Sequence, residues 1–187
     1  MKIFSPALLG FAYLTSEVLL VVTRRAHRGT SGGDAYSLGL LWSVIGLSIF
    51  AAIKIAFAWP AGRLPNAEIW TLAGILIFIA ALILRWTSII QLGRFFTVDV
   101  AIAADHQLVE DGPYRYVRHP SYTGALFAFL GFGLTLGNWA SVVVMMVPIF
   151  LVFTYRIKVE ERALVAALGE SYVAYRQRTK RLLPFIY

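Results

Sequence analysis

The stretch SYTGALFAFLGFGLTLGNWASVVVMMVPIFLVFTY, residues 121–155, decides the fold. It carries no charged side chain, and only Gly137-Asn138-Trp139 interrupts its apolar run. Each arm, 121–136 and 140–155, falls a little short of the roughly 20 residues that cross a bilayer. So short a connection makes the arms antiparallel neighbours. The segment therefore reads as a tight helical hairpin.

Upstream lie three longer apolar segments, at 3–22, 37–58 and 69–84. The first is read as a span rather than a signal peptide, because it is too long for a signal's apolar region and lacks a small-residue cleavage site. It contains one acid, Glu17, and the second has Lys54 near its far end. Trp59-Pro60 and Pro65-Asn66 bracket a turn. The third continues as helix past Arg85 and Trp86 and stops around Gly93. Downstream, residues 156–179 read as a helix emerging into water with a break at Gly169, and residues 183–187 are apolar enough to lie against the membrane. The sum is an all-α, polytopic membrane protein with about five transmembrane helices, the last two as a tight hairpin, plus a cytoplasmic C-terminal helix. The whole chain, 1–187, reads as a single membrane domain, with three N-terminal spans in 1–84 and a core in 85–187. No internal repeat is visible.

Composition agrees. Of the 187 residues, 59% are hydrophobic and 14% charged, and the mean hydropathy is +0.71, too apolar for an ordinary soluble domain. A net charge of +7 does not indicate nucleic acid here, because the basic residues flank apolar segments. The segments 24–36, 85–120 and 156–187 hold 14 of the 17 Lys and Arg residues. The positive-inside rule puts these on the cytoplasmic side, with the N-terminus outside. A site built from them can meet a water-soluble cofactor and a membrane-embedded substrate together.

Several chemistries are disfavoured. There is no Cys, hence no disulfide and no thiolate metal site, and His27, His106 and His119 lack zinc-site spacing. No glycine-rich dinucleotide fingerprint, phosphate-binding loop or serine elbow is present.

The polar run from His106 to Tyr122, followed by Thr123 and Gly124, carries most of the candidate chemistry. Pro120 suits the first turn of a helix, and His119 before it is biased away from helix. The N–H groups of Ser121, Tyr122 and Thr123 would then form an anion site, with Arg118 and His119 adding charge. The alternative is that Arg118 reaches toward headgroups and Pro120 merely starts a span. Beyond the hairpin, Arg156 and Glu160 stand four apart on one helical face. They are either a weak surface ion pair or a two-pronged grip on a substrate carboxylate beside an acid that balances a cofactor cation. Spacing alone leaves both open. The tail, Gly169-Glu170-Ser171-Tyr172 through Tyr175, Arg176 and Arg178, reads on its own as an amphipathic helix lying on anionic lipid.

Together these motifs resemble the isoprenylcysteine carboxyl methyltransferase family, which is related to phospholipid methyltransferases. The pattern His-x-Leu-Val-x-x-Gly-x-Tyr-x-x-x-Arg-His-Pro-x-Tyr-x-Gly stands at His106 to Gly124. A pair of acids follows at Glu160 and Glu161, Gly-Glu-x-Tyr-x-x-Tyr-x-x-Arg runs from Gly169 to Arg178, and Leu-Pro-Phe-Ile from Leu183 to Ile186. The resemblance covers about residues 85–187. It implies a cofactor-binding methyltransferase core that uses S-adenosyl-L-methionine, contacted by His106, Gln107, Leu108, Val109, Tyr114, His119, Pro120, Ser121, Tyr122 and Glu160. Arg156 falls on the substrate-binding, catalytic arginine. The implied acceptor is lipid-like or prenylated, in contact with membrane lipid, and the implied reaction is carboxyl O-methylation of an isoprenylcysteine-like substrate. Two alternatives stand beside it. Phospholipid N-methylation would need a base, with Glu161 or a tyrosine as candidate. An NADPH-dependent membrane reductase would need a different cofactor.

Overall fold

The computed structural model describes residues 6–24, 35–98 and 105–183. In chain order it forms α1 (Pro6–Arg24), α2 (Ala35–Ala58), α3 (Ala67–Leu92), α4 (Pro120–Thr135), α5 (Trp139–Leu168) and α6 (Glu170–Arg178). Short 3₁₀ turns lie at Pro60–Gly62, Gly93–Phe95 and Gly112–Arg115. Among the described residues there are isolated bridges but no strand. The fold is all-helical and polytopic. Four of these helices, α1, α2, α3 and α5, are long and apolar enough to cross a membrane. Large apolar side chains such as Phe11, Leu47 and Phe57 stand exposed on them, where lipid, not water, is the fitting solvent.

The hairpin expected from the sequence is present, but its arms are unequal. The first, α4, has 16 residues, about 24 Å at 1.5 Å per residue. The second is one unbroken helix of 30 residues, joining the apolar arm to what the sequence suggested was a separate emerging helix. Nothing between Tyr155 and Leu168 breaks the backbone, since Glu, Arg, Ala and Leu are strong helix formers. The break comes at Gly169, which takes φ 56°.

Two close antiparallel pairings set the depth of each helix. Along α3 and α4, Gly74 faces Gly131, and Gly124 faces Ala81 and Arg85, so the shorter α4 packs backbone-close against α3 from Gly74 to Arg85. A Cβ on Gly131 would stand 2.6 Å from the Gly74 carbonyl oxygen and 2.7 Å from the Phe78 nitrogen. Both are backbone atoms, so neither can step aside. Gly131→Leu is therefore expected to destabilise the bundle by about 1–3 kcal/mol, read as a lowered melting temperature in detergent. The second pair is α2 and α5. Arg156 of α5 reaches Ser37 at the start of α2, while Trp139 stacks edge-on to Trp59 just past the end of α2, with centroids 5.5 Å apart.

Asn138 fixes the turn of the hairpin. It is fully buried, and its side-chain oxygen accepts from the N–H groups of Ala140 (3.0 Å) and Ser141 (3.3 Å), capping α5. Its amide donates to the Trp59 carbonyl at 2.9 Å, tying the hairpin turn to the α2–α3 turn. That defines one end of the bundle. The other end carries Arg85, Arg118, Arg156, α6 and the chain after it.

Candidate active site

At that second end, one cavity is walled by every described helix. Residues from 95 to 98 and from 106 to 114 form its loop side, where Thr97, His106 and Tyr114 are the polar members. Its apolar side includes Leu41, Trp42 and Ile45 of α2 and Phe153 of α5. Of the residues expected at the site, His106, Leu108, Val109, Tyr114, His119, Ser121, Tyr122, Arg156 and Glu160 all line this cavity. Gln107 and Pro120 do not. Gln107 is exposed. Pro120 is fully buried at the first position of α4, where its ring is packed and its part is to start the helix.

Arg156 is only 1% exposed. Its Nη1 donates to Ser37 Oγ at 2.6 Å and its Nη2 to the Val98 carbonyl at 2.7 Å. The guanidinium is thus stretched between α2 and the 95–98 segment, where the loop side of the cavity meets its helical side. Tyr122, in the first turn of α4, lines the cavity together with Arg156 and Glu160, so the two residues four apart on α5 both face it. A weak surface ion pair is thereby excluded: this arginine is buried.

The loop bearing His119 is clasped to the chain's last described residues. Arg118 N–H donates to the Lys180 carbonyl at 2.8 Å and His119 N–H to the Arg181 carbonyl at 3.1 Å. The Thr123 hydroxyl donates to the Leu182 carbonyl at 2.7 Å. The expected anion site loses one donor here, because the Thr123 N–H is bonded to the His119 carbonyl at 3.1 Å. Glu161 holds the clasp shut. It is 4% exposed and accepts from Arg118 Nε at 2.9 Å, from Arg181 Nη2 at 3.1 Å, and lies 3.4 Å from His119 Nε2. The Arg118 guanidinium also donates to the Arg176 and Thr179 carbonyls. With its oxygens so occupied and outside the cavity wall, Glu161 is not placed to act as a base, which answers the role suggested for it.

The C-terminal helix differs from the reading of its sequence. Tyr172 and Tyr175 of α6 are both buried and line the cavity, so α6 closes the cavity instead of lying flat on lipid. Tyr175 donates to the Tyr114 carbonyl at 2.6 Å, and Tyr114 to the Ser88 carbonyl at 3.2 Å, linking α6 to the 112–115 turn and to α3. Burial, with Glu160 nearby, pushes the Tyr114 and Tyr172 hydroxyls well above the ordinary phenol value, and burial does the same for Tyr175. None of the three is a base near neutral pH. Burial pulls His106 below the usual imidazole value, against the opposing pull of Glu160 and Asp105, so it stands neutral. His106 Nδ1 and the Tyr172 hydroxyl are buried polar atoms on cavity-lining residues with no hydrogen-bond partner among the described residues. Such atoms are costly unless something satisfies them.

The sequence did not point to Arg85 and Glu17 as part of this site. The Arg85 guanidinium donates to both Glu17 oxygens, at 2.8 and 2.9 Å, and to the Ser121 carbonyl at 3.0 Å. The pair is nearly buried and lines the cavity. The available signal was Glu17 itself, a lone acid inside an apolar span.

The model of the isoprenylcysteine carboxyl methyltransferase (ICMT) family matches residues 73–166. Among curated relatives, the protein-S-isoprenylcysteine O-methyltransferase of Schizosaccharomyces pombe is 40% identical over 105 residues, which is 55% of this chain and 44% of that protein. Protein-S-isoprenylcysteine O-methyltransferase B of Arabidopsis thaliana is 38% identical over 115 residues, 60% of this chain and 58% of that protein. A solved structure of a eukaryotic intramembrane Ras methyltransferase, ICMT, superposes with a TM-score of 0.66 at 28% identity, covering 78% of this chain and 52% of that one. The chain spans about half the length of these two curated relatives.

Proposed function

Because the chain belongs to the isoprenylcysteine carboxyl methyltransferase family, we propose that it transfers a methyl group to the carboxylate of a lipophilic, isoprenylcysteine-like acceptor. The methyl donor in this reading is S-adenosyl-L-methionine. One observation carries it: a buried arginine and its neighbouring acid stand where the loop-lined side of the cavity meets an apolar chamber between the helices.

When bound, S-adenosylmethionine supplies a sulfonium whose methyl carbon is attacked by the acceptor carboxylate, the C–S bond breaking with its electron pair left on sulfur. A carboxylate is already ionised at neutral pH, so the chain needs no general base. Its task is positioning and the exclusion of water. His106, Leu108, Val109 and Tyr114 form the loop wall that would enclose the cofactor, and the partnerless His106 Nδ1 and Tyr172 hydroxyl are atoms a nucleoside with an amino-acid tail can satisfy. Glu160 supplies the negative charge suited to an ammonium or sulfonium. Arg156 offers a two-pronged guanidinium to the acceptor carboxylate, and Leu41, Trp42, Ile45 and Phe153 receive its apolar tail. The basic residues gathered at this end of the bundle support a cytoplasmic cavity and an outer N-terminus.

N-methylation of a phospholipid amine would require a proton acceptor. Glu161 is committed to the clasp, and the buried tyrosines named above are poor bases, so carboxylate methylation is favoured. The test is thermal stabilisation in detergent with S-adenosylmethionine, S-adenosylhomocysteine and NADPH side by side. The first two are expected to raise the melting temperature in a saturable way, by about 2.7 kcal/mol of linkage at a hundred times Kd, and NADPH to do nothing. Stabilisation by NADPH alone refutes the reading.

A further inference from the structure

Outside the cavity, a second concavity opens on the surface between α5, α6 and Arg181. It is lined by Lys158, Glu161, Arg162, Val165, Arg176 and Arg181, none of which lines the cavity of the candidate active site. Four cations face one acid there, and that acid already accepts from Arg118 and Arg181. Lys158, Arg162 and Arg176 are exposed, so the cleft presents net positive charge that nothing in its own wall neutralises.

The surface leading into the cleft is of the opposite character. Val147, Leu151 and Tyr155 are 52%, 61% and 44% exposed. Their spacing of four, followed by Lys158 and Arg162 at three and four more, puts all five on one stripe of α5. The stripe is apolar within the span and basic where the span ends. From Leu151 to Arg162 is about 16 Å along the helix at 1.5 Å per residue, and long basic side chains extend their charge toward the membrane surface. An occupant complementary to this stripe is apolar for some turns and then anionic.

We propose that this cleft docks the phosphate-bearing headgroup of an anionic membrane phospholipid, whose acyl chains lie along Val147, Leu151 and Tyr155. The guanidiniums of Arg162 and Arg176 suit phosphate oxygens, which they can meet with paired N–H groups. A free phosphate would leave the apolar part of the stripe unused, so the lipid is the occupant that the whole surface fits. This site stands independently of the methyltransferase reading, and its test involves no methyl transfer.

The test is native mass spectrometry of the full chain released from detergent micelles, with phosphatidylglycerol, phosphatidylcholine of the same acyl chains, or inorganic phosphate offered. Phosphatidylglycerol is expected to bind at least about tenfold more tightly than phosphatidylcholine, as three or more surface cations imply. Lys158→Gln/Arg162→Gln/Arg176→Gln should bring the two lipids level, and Arg162→Gln alone, the fallback if the triple variant does not fold, should lower the preference about threefold or more. Arg63→Gln, exposed at the opposite end of the bundle, should leave it intact. Equal binding of the two lipids by the parent chain, or an undiminished preference in the cleft variants, overturns the proposal. Displacement of phosphatidylglycerol by low-millimolar inorganic phosphate overturns the lipid assignment in favour of a free anion.

Discussion

Replacing Arg156 with alanine is expected to lower kcat/KM for methyl transfer by on the order of 10²–10³-fold, the usual cost of removing one preorganised charged donor. The dissociation constant of S-adenosylhomocysteine should change by less than about threefold, because the interaction lost is one made with the acceptor and its transition state. Attack on a sulfonium by a carboxylate annihilates two charges, so its transition state is less polar than its reactants. A guanidinium that only neutralised the carboxylate would hold the ground state back. Its benefit lies in drawing the carboxylate out of water and aligning one oxygen with the methyl carbon. Arg156 is placed for that by its bonds to Ser37 and the Val98 carbonyl, which fix the plane of the group. Arg156→Lys keeps the charge and loses the fork, so it should recover only a small part of the rate. Melting curves of both variants separate this effect from loss of the α2 tether. A variant that retains its fold and full turnover contradicts the role given to Arg156.

Glu161→Ala is expected to be the most damaging single change to the fold. It would leave Arg118, with its side chain 8% exposed, and Arg181 facing one another without the carboxylate between them. Breaking a buried ion pair by removing one partner costs about 3–5 kcal/mol, because the stranded charge stays desolvated. The apparent melting temperature should fall by on the order of 10 °C. The loss should also reach the cofactor, since the same carboxylate anchors the loop that carries His119. Weaker S-adenosylhomocysteine binding is therefore expected in Glu161→Ala and not in Arg156→Ala. Glu161→Gln keeps an acceptor and removes the charge, so it should fall between parent and alanine variant. A Glu161→Ala protein that melts with the parent shows the clasp to be ornamental.

Much of this architecture was legible from hydropathy and from a few breakers. The ends of α3 at Gly93 and of α5 at Gly169 follow from glycine, and the hairpin from three residues between two apolar arms. The fusion of the second arm with the following helix was less visible, because hydropathy marks where lipid ends and not where helix ends. Most of the expected site residues gather around one cavity because the motif from His106 to Gly124 is continuous in sequence. Gln107 and Pro120 fall outside it for local reasons: one is exposed, and the other is spent on starting α4. The Glu17–Arg85 pair joins residues 68 apart in sequence, and no spacing rule connects them. Tyr172 and Tyr175 read as part of an amphipathic helix lying on lipid, since only tertiary packing shows α6 turned inward against Tyr114.

The central claim is that the cavity brings a sulfonium methyl group and a lipophilic carboxylate together. Its most direct test supplies S-adenosylmethionine labelled in the methyl group, together with a small S-prenylated cysteine bearing a free carboxylate, to the purified chain in detergent. The label should enter the prenylated product and be released as methanol by mild base, the signature of a methyl ester. Label that stays with the product after base treatment, or no transfer while the cofactor is demonstrably bound, would contradict the account.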